Sequence, residues 1–220
     1  MIRAVVFDFD GVIVDSEPLH LRAYQSVLSS IGIALTAEDY YGRYLGYNDE
    51  DMLRLVFRDR GLAIDQPQFA AIAAEKIRVF DDIIATGDVL YSGARPCVER
   101  LAAAFPLGIA SGALPHEIRM MLDRSRLAHH FKFIVGSGDT PNSKPSPDPY
   151  LRASELHGIP PAECVAIEDS RWGLESARSA GMKTIGVTHT YASDQLGGPD
   201  LVVESLDQIT VPLIRTLEDR

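Results

Sequence analysis

The feature that most constrains the fold is an alternation of short apolar runs with helical patterns from about residue 88 onwards. Short continuous apolar runs that end in turn residues are typical of buried strands, and helices between them indicate right-handed crossovers. With a first run near the start of the chain, strands are predicted at residues 4–9, 107–110, 133–136, 164–167, 184–187 and 201–203. The pattern therefore predicts an α/β fold with a parallel sheet covered by helices on both faces.

A helical block separates the first predicted strand from the others. Apolar residues recur every four positions from Leu19 to Ile31, and Pro18 and Gly32 mark the two ends of that helix. Further helices are predicted at residues 36–39, 48–61 and 67–80 within the block, and at 95–105, 115–127, 147–157, 172–180 and 205–217 beyond it. We therefore expect two domains, a core of residues 1–15 and 89–220 and a helical insertion of residues 16–88.

Composition and charge exclude several classes of function. The chain has 46% hydrophobic and 24% charged residues, as a globular protein does, and its net charge of −10 disfavours nucleic acid and anionic lipid. No run approaches the roughly 20 apolar residues of a membrane span, and no secretion signal is evident. Cys97 and Cys164 lie in apolar contexts that favour reduced thiols. We expect a cytoplasmic monomer or weak homo-oligomer with no nucleic-acid or membrane partner.

Polar side chains stand at or just beyond the ends of four predicted strands, where a buried sheet has no structural use for them. They are Asp8 and Asp10 in the opening MIRAVVFDFDGV, Ser111 after GIA, Lys144 in the loop after FIVG, and Glu168 with Asp169 after CVAI. Because the carboxyl ends of parallel strands meet at one edge of a sheet, these side chains are expected to lie together. Their joint placement predicts a functional site more strongly than any single residue does.

Each of these residues also has a plainer explanation when it is taken alone. Asp8 and Asp10 beside Gly11 are typical turn acids, and Ser111 is suited to turning the chain into the next helix. Lys144 is compatible with a solvated loop. Glu168 and Asp169 stand just before the helix near residue 172 and are compatible with helix capping, although two adjacent acids exceed what a cap needs.

The chemistry of the set points to phosphoryl transfer. Several neighbouring carboxylates repel one another unless a cation lies between them, and a hard, oxygen-liganded ion such as Mg²⁺ meets that need. Such an ion, together with Lys144, neutralises charge on a transferring phosphoryl group, while the Ser111 hydroxyl and the following amides hold its oxygens.

These residues resemble the four motifs of the haloacid dehalogenase superfamily of phosphotransferases, in the same order. The matching segments are DFDGV at 8–12, SG at 111–112, Lys144 within SKPSPDPY, and EDS at 168–170. DSEPLH at 15–20 and the helical insertion resemble the branch with a small α-helical cap, which includes sugar-phosphate phosphatases, phosphoglycolate phosphatase and β-phosphoglucomutase. The resemblance implies a Rossmann-like parallel core with an inserted cap domain.

The resemblance also implies roles for individual residues. Asp8 is the nucleophile that forms an aspartyl-phosphate, and Asp10 protonates the leaving alkoxide and then activates water. Lys144 bridges Asp8 and the phosphate, and Ser111 with the Gly112 amide binds phosphoryl oxygens.

The same resemblance implies a Mg²⁺ site. Its ligands are the Asp8 carboxylate, the Asp169 carboxylate and the backbone carbonyl of Asp10. Glu168 is either a further ligand or a hydrogen-bond acceptor next to the ligands. A true dehalogenase lacks an acid at the position of Asp10, because a halide leaving group needs no proton. The phosphonatase branch fits poorly as well, since the insertion carries only Lys76 as a lysine.

A phosphomutase is the serious rival to a phosphatase. His20 falls where β-phosphoglucomutase has a histidine, although related phosphatases share it and an ordinary exposed helix residue is equally compatible. Asp49 stands where the mutase-like cap carries an arginine for a distal phosphate. The sequence therefore favours a phosphatase of a small phosphorylated metabolite, with His20 a candidate substrate contact. The alternatives are a sugar phosphomutase and, less favoured, a non-catalytic phosphometabolite-binding protein.

Overall fold

The computed structural model describes residues 1–45, 47, 49–85 and 89–219. The chain divides into two compact units, Met1–Asp15 with Asp88–Arg220 and Ser16–Gly87. Two sequence predictions fall on residues outside the described ranges: residue 88, the predicted end of the helical insertion, and residue 48, the predicted start of a helix.

The first unit is built on a parallel sheet, as the sequence predicts. The described residues form six strands: β1 (Ala4–Phe7), β2 (Leu107–Ala110), β3 (Phe131–Val135), β4 (Cys164–Glu168), β5 (Lys183–Val187) and β6 (Leu201–Val203). Their order across the sheet is β3-β2-β1-β4-β5-β6, and every pairing is parallel. The strand order reverses between β1 and β4, and ligands of open α/β sheets bind at the carboxyl ends beside such a point.

The second unit is helical. Its helices are α1 (Glu17–Ser30), α2 (Ala37–Asp39), α3 (Asp49–Asp59) and α4 (Gln66–Ile84), and no strand occurs among the residues described there. A π-helical segment, Tyr40–Tyr44, follows α2 directly and is absent from the sequence prediction. Leu28, Leu53 and Phe80 are fully buried, so the unit has an apolar interior of its own.

The remaining helices belong to the sheet-containing unit. They are α5 (Ala94–Ala102), α6 (Pro115–Arg124), α7 (Asp148–His157), α8 (Arg171–Ser179) and α9 (Val211–Arg215). With the parallel sheet, they confirm the predicted α/β fold class. Within the described ranges, no helix has both the length and the apolar composition needed to cross a membrane.

The single helix predicted at residues 205–217 is wrong. The segment consists of a 3₁₀ turn at Leu206–Gln208, then α9, then a second 3₁₀ turn at Thr216–Asp219. Thr210 is extended, and its side chain accepts a hydrogen bond from the Leu213 amide at 3.3 Å, so it caps a new helix. Pro212 has no amide hydrogen and cannot continue a helix from the preceding turn.

Candidate active site

The two central strands deliver acidic side chains to the same edge of the sheet. Phe7 of β1 pairs with Ile167 of β4, so Asp8 and Glu168 follow in register. The Asp8 amide donates to the Ile167 carbonyl at 2.9 Å, which carries the pairing one residue beyond β1. Asp8, Glu168 and Asp169 are all buried, and ligand atoms from the three carboxylates lie within 4.8 Å of one another. These three side chains form the carboxylate cluster.

Lys144 enters the carboxylate cluster from the loop after β3. Its Nζ lies 2.7 Å from Oδ1 of Asp8 and 2.6 Å from Oε1 of Glu168. Burial acts to lower the pKa of the Lys144 ammonium, but the two carboxylates outweigh burial and raise that pKa above its usual value. The ammonium therefore stays protonated, and its charge is presented to the Asp8 carboxylate.

Glu168 is the most completely buried acid of the cluster, with no exposed surface. Besides Lys144, its Oε1 accepts a hydrogen bond from the Tyr150 hydroxyl at 3.0 Å. Its Oε2 accepts from the amides of Asp169 and Ser170, at 3.1 and 3.2 Å, and from the Ser170 hydroxyl at 3.1 Å. Both oxygens of Glu168 are thus engaged in holding the loop and Lys144.

Two residues that accommodate Glu168 were not predicted from the sequence. Tyr150 on α7 is buried, and burial followed by the Glu168 charge raises the pKa of its hydroxyl well above the usual value, so it remains a donor. Gly173 lies in the first turn of α8, where an added Cβ would collide with the Glu168 carboxylate. The sequence holds one signal for Gly173, because a glycine inside a helix lowers the stability of the helix and is expected where another group approaches the backbone closely.

The carboxylate cluster contains more acidic groups than basic ones among the described residues. Burial, followed by the neighbouring Glu168 carboxylate, raises the pKa of Asp169 to about 7 and raises that of Asp8 well above its usual value. Among the described residues, the cluster sets three carboxylates against the Lys144 ammonium. Buried oxygen donors with an uncompensated negative charge are the surroundings that a hard divalent cation prefers, so the residues present fit Mg²⁺.

Asp10, Ser111 and Gly112 lie at the same edge. The Ser111 hydroxyl donates to Oδ2 of Asp10 at 3.4 Å and accepts from the Ala113 amide at 3.0 Å. Gly112 is exposed, and the space beside its Cα is open. Gly11 has a φ of +76°, and a Cβ there would collide with the Asp169 carboxylate. The predicted core residues are therefore brought together around one edge of the sheet.

His20 lies in the other unit, on α1. Its Nδ1 is 3.0 Å from Nζ of Lys76, which forms an ion pair of 2.6 Å with Asp49. Because an ammonium can only donate, Nδ1 of His20 accepts in this contact. The ring stacks on Phe80 with centroids 4.0 Å apart. Burial, followed by the Lys76 charge, lowers the pKa of His20 to about 3, so the ring is neutral at ordinary pH.

Known proteins resemble this chain over most of its length. A phosphorylated carbohydrates phosphatase of Thermotoga maritima is 32% identical over 191 residues, covering 86% of each protein. A phosphoglycolate phosphatase of Escherichia coli strain K12 is 26% identical over 234 residues, covering 94% of this chain and 91% of that protein. β-Phosphoglucomutase from Clostridium difficile has a similar structure, with a TM-score of 0.84 and 23% identity over 100% of this chain and 98% of that chain, which shows the fold alone.

The family to which the chain belongs is shown by a match to a family sequence profile. The profile of the haloacid dehalogenase-like hydrolases matches residues 5–187, from β1 to the end of β5. The matched span includes Asp8, Ser111, Lys144 and Asp169, which belong to the four motifs that resemble this family. That resemblance is confirmed: the chain belongs to the haloacid dehalogenase-like hydrolase family, and it is a hydrolase.

Proposed function

We propose that this hydrolase is a Mg²⁺-dependent phosphatase of a small phosphorylated metabolite, acting through an aspartyl-phosphate on Asp8. The observation that carries the proposal is the Asp8 carboxylate. It is buried at the sheet edge where the strand order reverses, and it forms an ion pair of 2.7 Å with Lys144. A carboxylate nucleophile divides one difficult displacement into two easier ones. The relatives named as phosphatases of phosphorylated carbohydrates and of phosphoglycolate support the substrate class.

In the first half of the proposed reaction, an Asp8 carboxylate oxygen attacks phosphorus. The bond from phosphorus to the leaving oxygen breaks, and Asp10 gives that oxygen its proton. In the second half, Asp10 takes a proton from water as the water oxygen attacks the aspartyl-phosphate, which releases phosphate and restores Asp8. One acid/base therefore serves both halves, and its position two residues after the nucleophile keeps the two groups on one loop.

Other residues would bind the phosphoryl oxygens. Lys144 stays protonated beside Asp8, and the Ser111 hydroxyl and the Gly112 amide lie at the same edge of the sheet. Positive charge and fixed donors around a phosphoryl group stabilise the charge that it carries in the transition state.

The proposed Mg²⁺ ligands are Asp8, Asp169 and the backbone carbonyl of Asp10. The ion would offset the excess of carboxylates and the charge of the phosphoryl oxygens. Glu168 is assigned to the support of Lys144 rather than to the ion, because both of its oxygens already accept hydrogen bonds from Lys144, Tyr150 and the 169–170 segment.

The helical unit favours a phosphatase over a phosphomutase. A mutase has to hold a second phosphate, and the buried lysine of this unit, Lys76, is already paired with Asp49 at 2.6 Å. His20 beside it is neutral, so this cluster offers a hydrogen-bond group rather than an attracting charge. We propose that the unit selects the leaving group and that His20 takes part in the selection.

A phosphate-release assay tests the proposed function. Small phosphate monoesters are offered with MgCl₂ and with EDTA, and sugar-phosphate isomerisation is followed in parallel in the presence of a bisphosphate primer. Release that requires Mg²⁺ and is lost in Asp8→Asn supports the proposal, with the exposed Asp123→Asn as the matched control. Isomerisation without release of stoichiometric phosphate would indicate a mutase, and turnover that persists in Asp8→Asn would exclude Asp8 as the nucleophile.

A further inference from the structure

A histidine in the segment after β5 forms a hydrogen bond with the loop that carries Asp10. We propose that His189 is a positioning residue, which holds the Gly11 carbonyl and thereby keeps Asp10 oriented to protonate the leaving oxygen. The inference rests on the proposed function, because it assigns His189 a part in the proton transfer made by Asp10.

The contact fixes the backbone on one side of Gly11. His189 follows β5 by two residues, and its Nδ1 lies 3.0 Å from the Gly11 carbonyl oxygen. A carbonyl can only accept, so Nδ1 carries the hydrogen. On the other side, the Gly11 amide donates to the Val14 carbonyl at 2.9 Å. The peptide groups before and after Gly11 are therefore both held by hydrogen bonds.

Gly11 is the residue of this loop for which such bonds matter most. Its φ of +76° lies in the left-handed region, and glycine has more backbone freedom than any other residue. Rotation about Gly11 would move the neighbouring Asp10 carboxylate relative to Asp8. Misplacement of a catalytic group by about 1 Å is enough to lower a rate by ~10²-fold.

A tyrosine holds the ring of His189 in place. Tyr91 stacks on His189 with ring centroids 4.1 Å apart and an interplanar angle of 22°. The Tyr91 amide donates to the Ile13 carbonyl at 3.0 Å, and its hydroxyl donates to Oδ1 of Asp15 at 3.4 Å. Tyr91 thus forms two hydrogen bonds with the same loop. It also stacks on the His189 ring, which forms a third hydrogen bond with that loop, at Gly11.

The proposal predicts a loss that depends on the leaving group. An alkyl phosphate needs a proton on its departing alkoxide, whereas p-nitrophenyl phosphate releases a stable anion. In His189→Phe the ring can still stack on Tyr91, but the donor to Gly11 is gone. We expect kcat/KM to fall by roughly 10- to 100-fold on the alkyl phosphate, a part of what general acid catalysis contributes, and by less than about 3-fold on p-nitrophenyl phosphate.

Two amide variants separate positioning from structural support. In His189→Asn the side-chain amide nitrogen stands near the place of Nδ1, so kcat/KM on the alkyl phosphate is expected within about 3-fold of the parent. In His189→Gln the donor lies one carbon further out, and the alkyl-selective loss should return. If His189→Phe does not fold, as judged by urea unfolding, the comparison of Asn with Gln carries the test.

The outcomes also separate this inference from the proposed function. Asp10→Asn is the reference for the alkyl-selective pattern, and Asp8→Asn tests the nucleophile. Equal losses on both substrates in His189→Phe, no loss at all, or matching rates in the Asn and Gln variants would overturn the role of His189 while Asp8→Asn remains inactive. Turnover in Asp8→Asn would instead overturn the proposed function.

Discussion

Lys144 is the residue whose charge the carboxylate cluster most depends on. Its side chain is 14% exposed and forms ion pairs with Asp8 and with the fully buried Glu168. Replacing both charges of a buried pair by apolar groups is often tolerated, but removing one partner leaves a buried charge without compensation. Lys144 is therefore important for stability as well as for the proposed chemistry.

Lys144→Met is expected to lower the free energy of unfolding by about 3–5 kcal/mol, because it leaves the buried carboxylates uncompensated. Urea unfolding in EDTA at pH 7 measures the loss. Lys183→Met is the matched control, since the Lys183–Asp200 pair spans 3.6 Å and is partly exposed, and its loss should stay below about 1 kcal/mol. Equal losses in the two variants would show that Lys144 compensates no buried charge.

Helix α8 begins with a sequence that accommodates the acid preceding it, Glu168. Ser170 caps the helix by accepting from the Gly173 amide at 3.1 Å, while its own hydroxyl donates to Glu168. A glycine in a helix interior ordinarily costs up to about 1 kcal/mol relative to alanine. Here the first turn has to leave room for the Glu168 carboxylate, which explains why glycine stands at this position.

Gly173→Ala is therefore expected to destabilise the protein, against the helix propensity, because the new methyl group displaces Glu168 and with it Lys144. We expect a loss of about 1–3 kcal/mol, as for other overpacked sites, and reduced phosphate release. Thermal unfolding and the release assay measure the two effects. Gly42→Ala, where the added Cβ meets open space, serves as the control and should be neutral or slightly stabilising; a stabilised and fully active Gly173→Ala variant would contradict this account.

Some helices and strands could be predicted from the sequence and others could not. Strands β2 and β6 match their predicted ranges, because short apolar runs bounded by turn residues leave little freedom. The π-helical Tyr40–Tyr44 segment and the break at Thr210 were missed, since both depend on local hydrogen bonding rather than on apolar periodicity. The order of the strands was also beyond reach, because it depends on pairings between distant segments.

The candidate site residues were easier to predict than the residues that form hydrogen bonds around them. Asp8, Lys144 and Asp169 follow strands or conspicuous loops, where charged residues stand out against apolar neighbours. Tyr150 and His189 lie in segments whose composition suits an ordinary helix or turn. Their partners are more than 15 residues away in the chain, so only the fold reveals the contacts that they make.

The carboxylate cluster is expected to make the stability of the protein depend on pH and on the proposed Mg²⁺. In the metal-free protein, the pKa of Asp169 is raised to about 7, above its value in an unfolded chain. At Asp169 the folded state then binds more protons than the unfolded state between about pH 4 and pH 7. The contribution of Asp169 to stability is expected to fall as pH rises through that range, whereas the lowered pKa of His20 makes a contribution of the opposite sign.

Mg²⁺ should reverse that loss, because a cation that binds only the folded state stabilises it by about 2.7 kcal/mol at 100 times its dissociation constant. Protons compete for Asp169, so the rise in Tm on adding MgCl₂ is expected to be larger at pH 8 than at pH 6. Differential scanning calorimetry at both pH values measures it. Asp169→Asn should abolish the rise and Asp123→Asn should keep it; a rise that survives in Asp169→Asn would place the ion elsewhere.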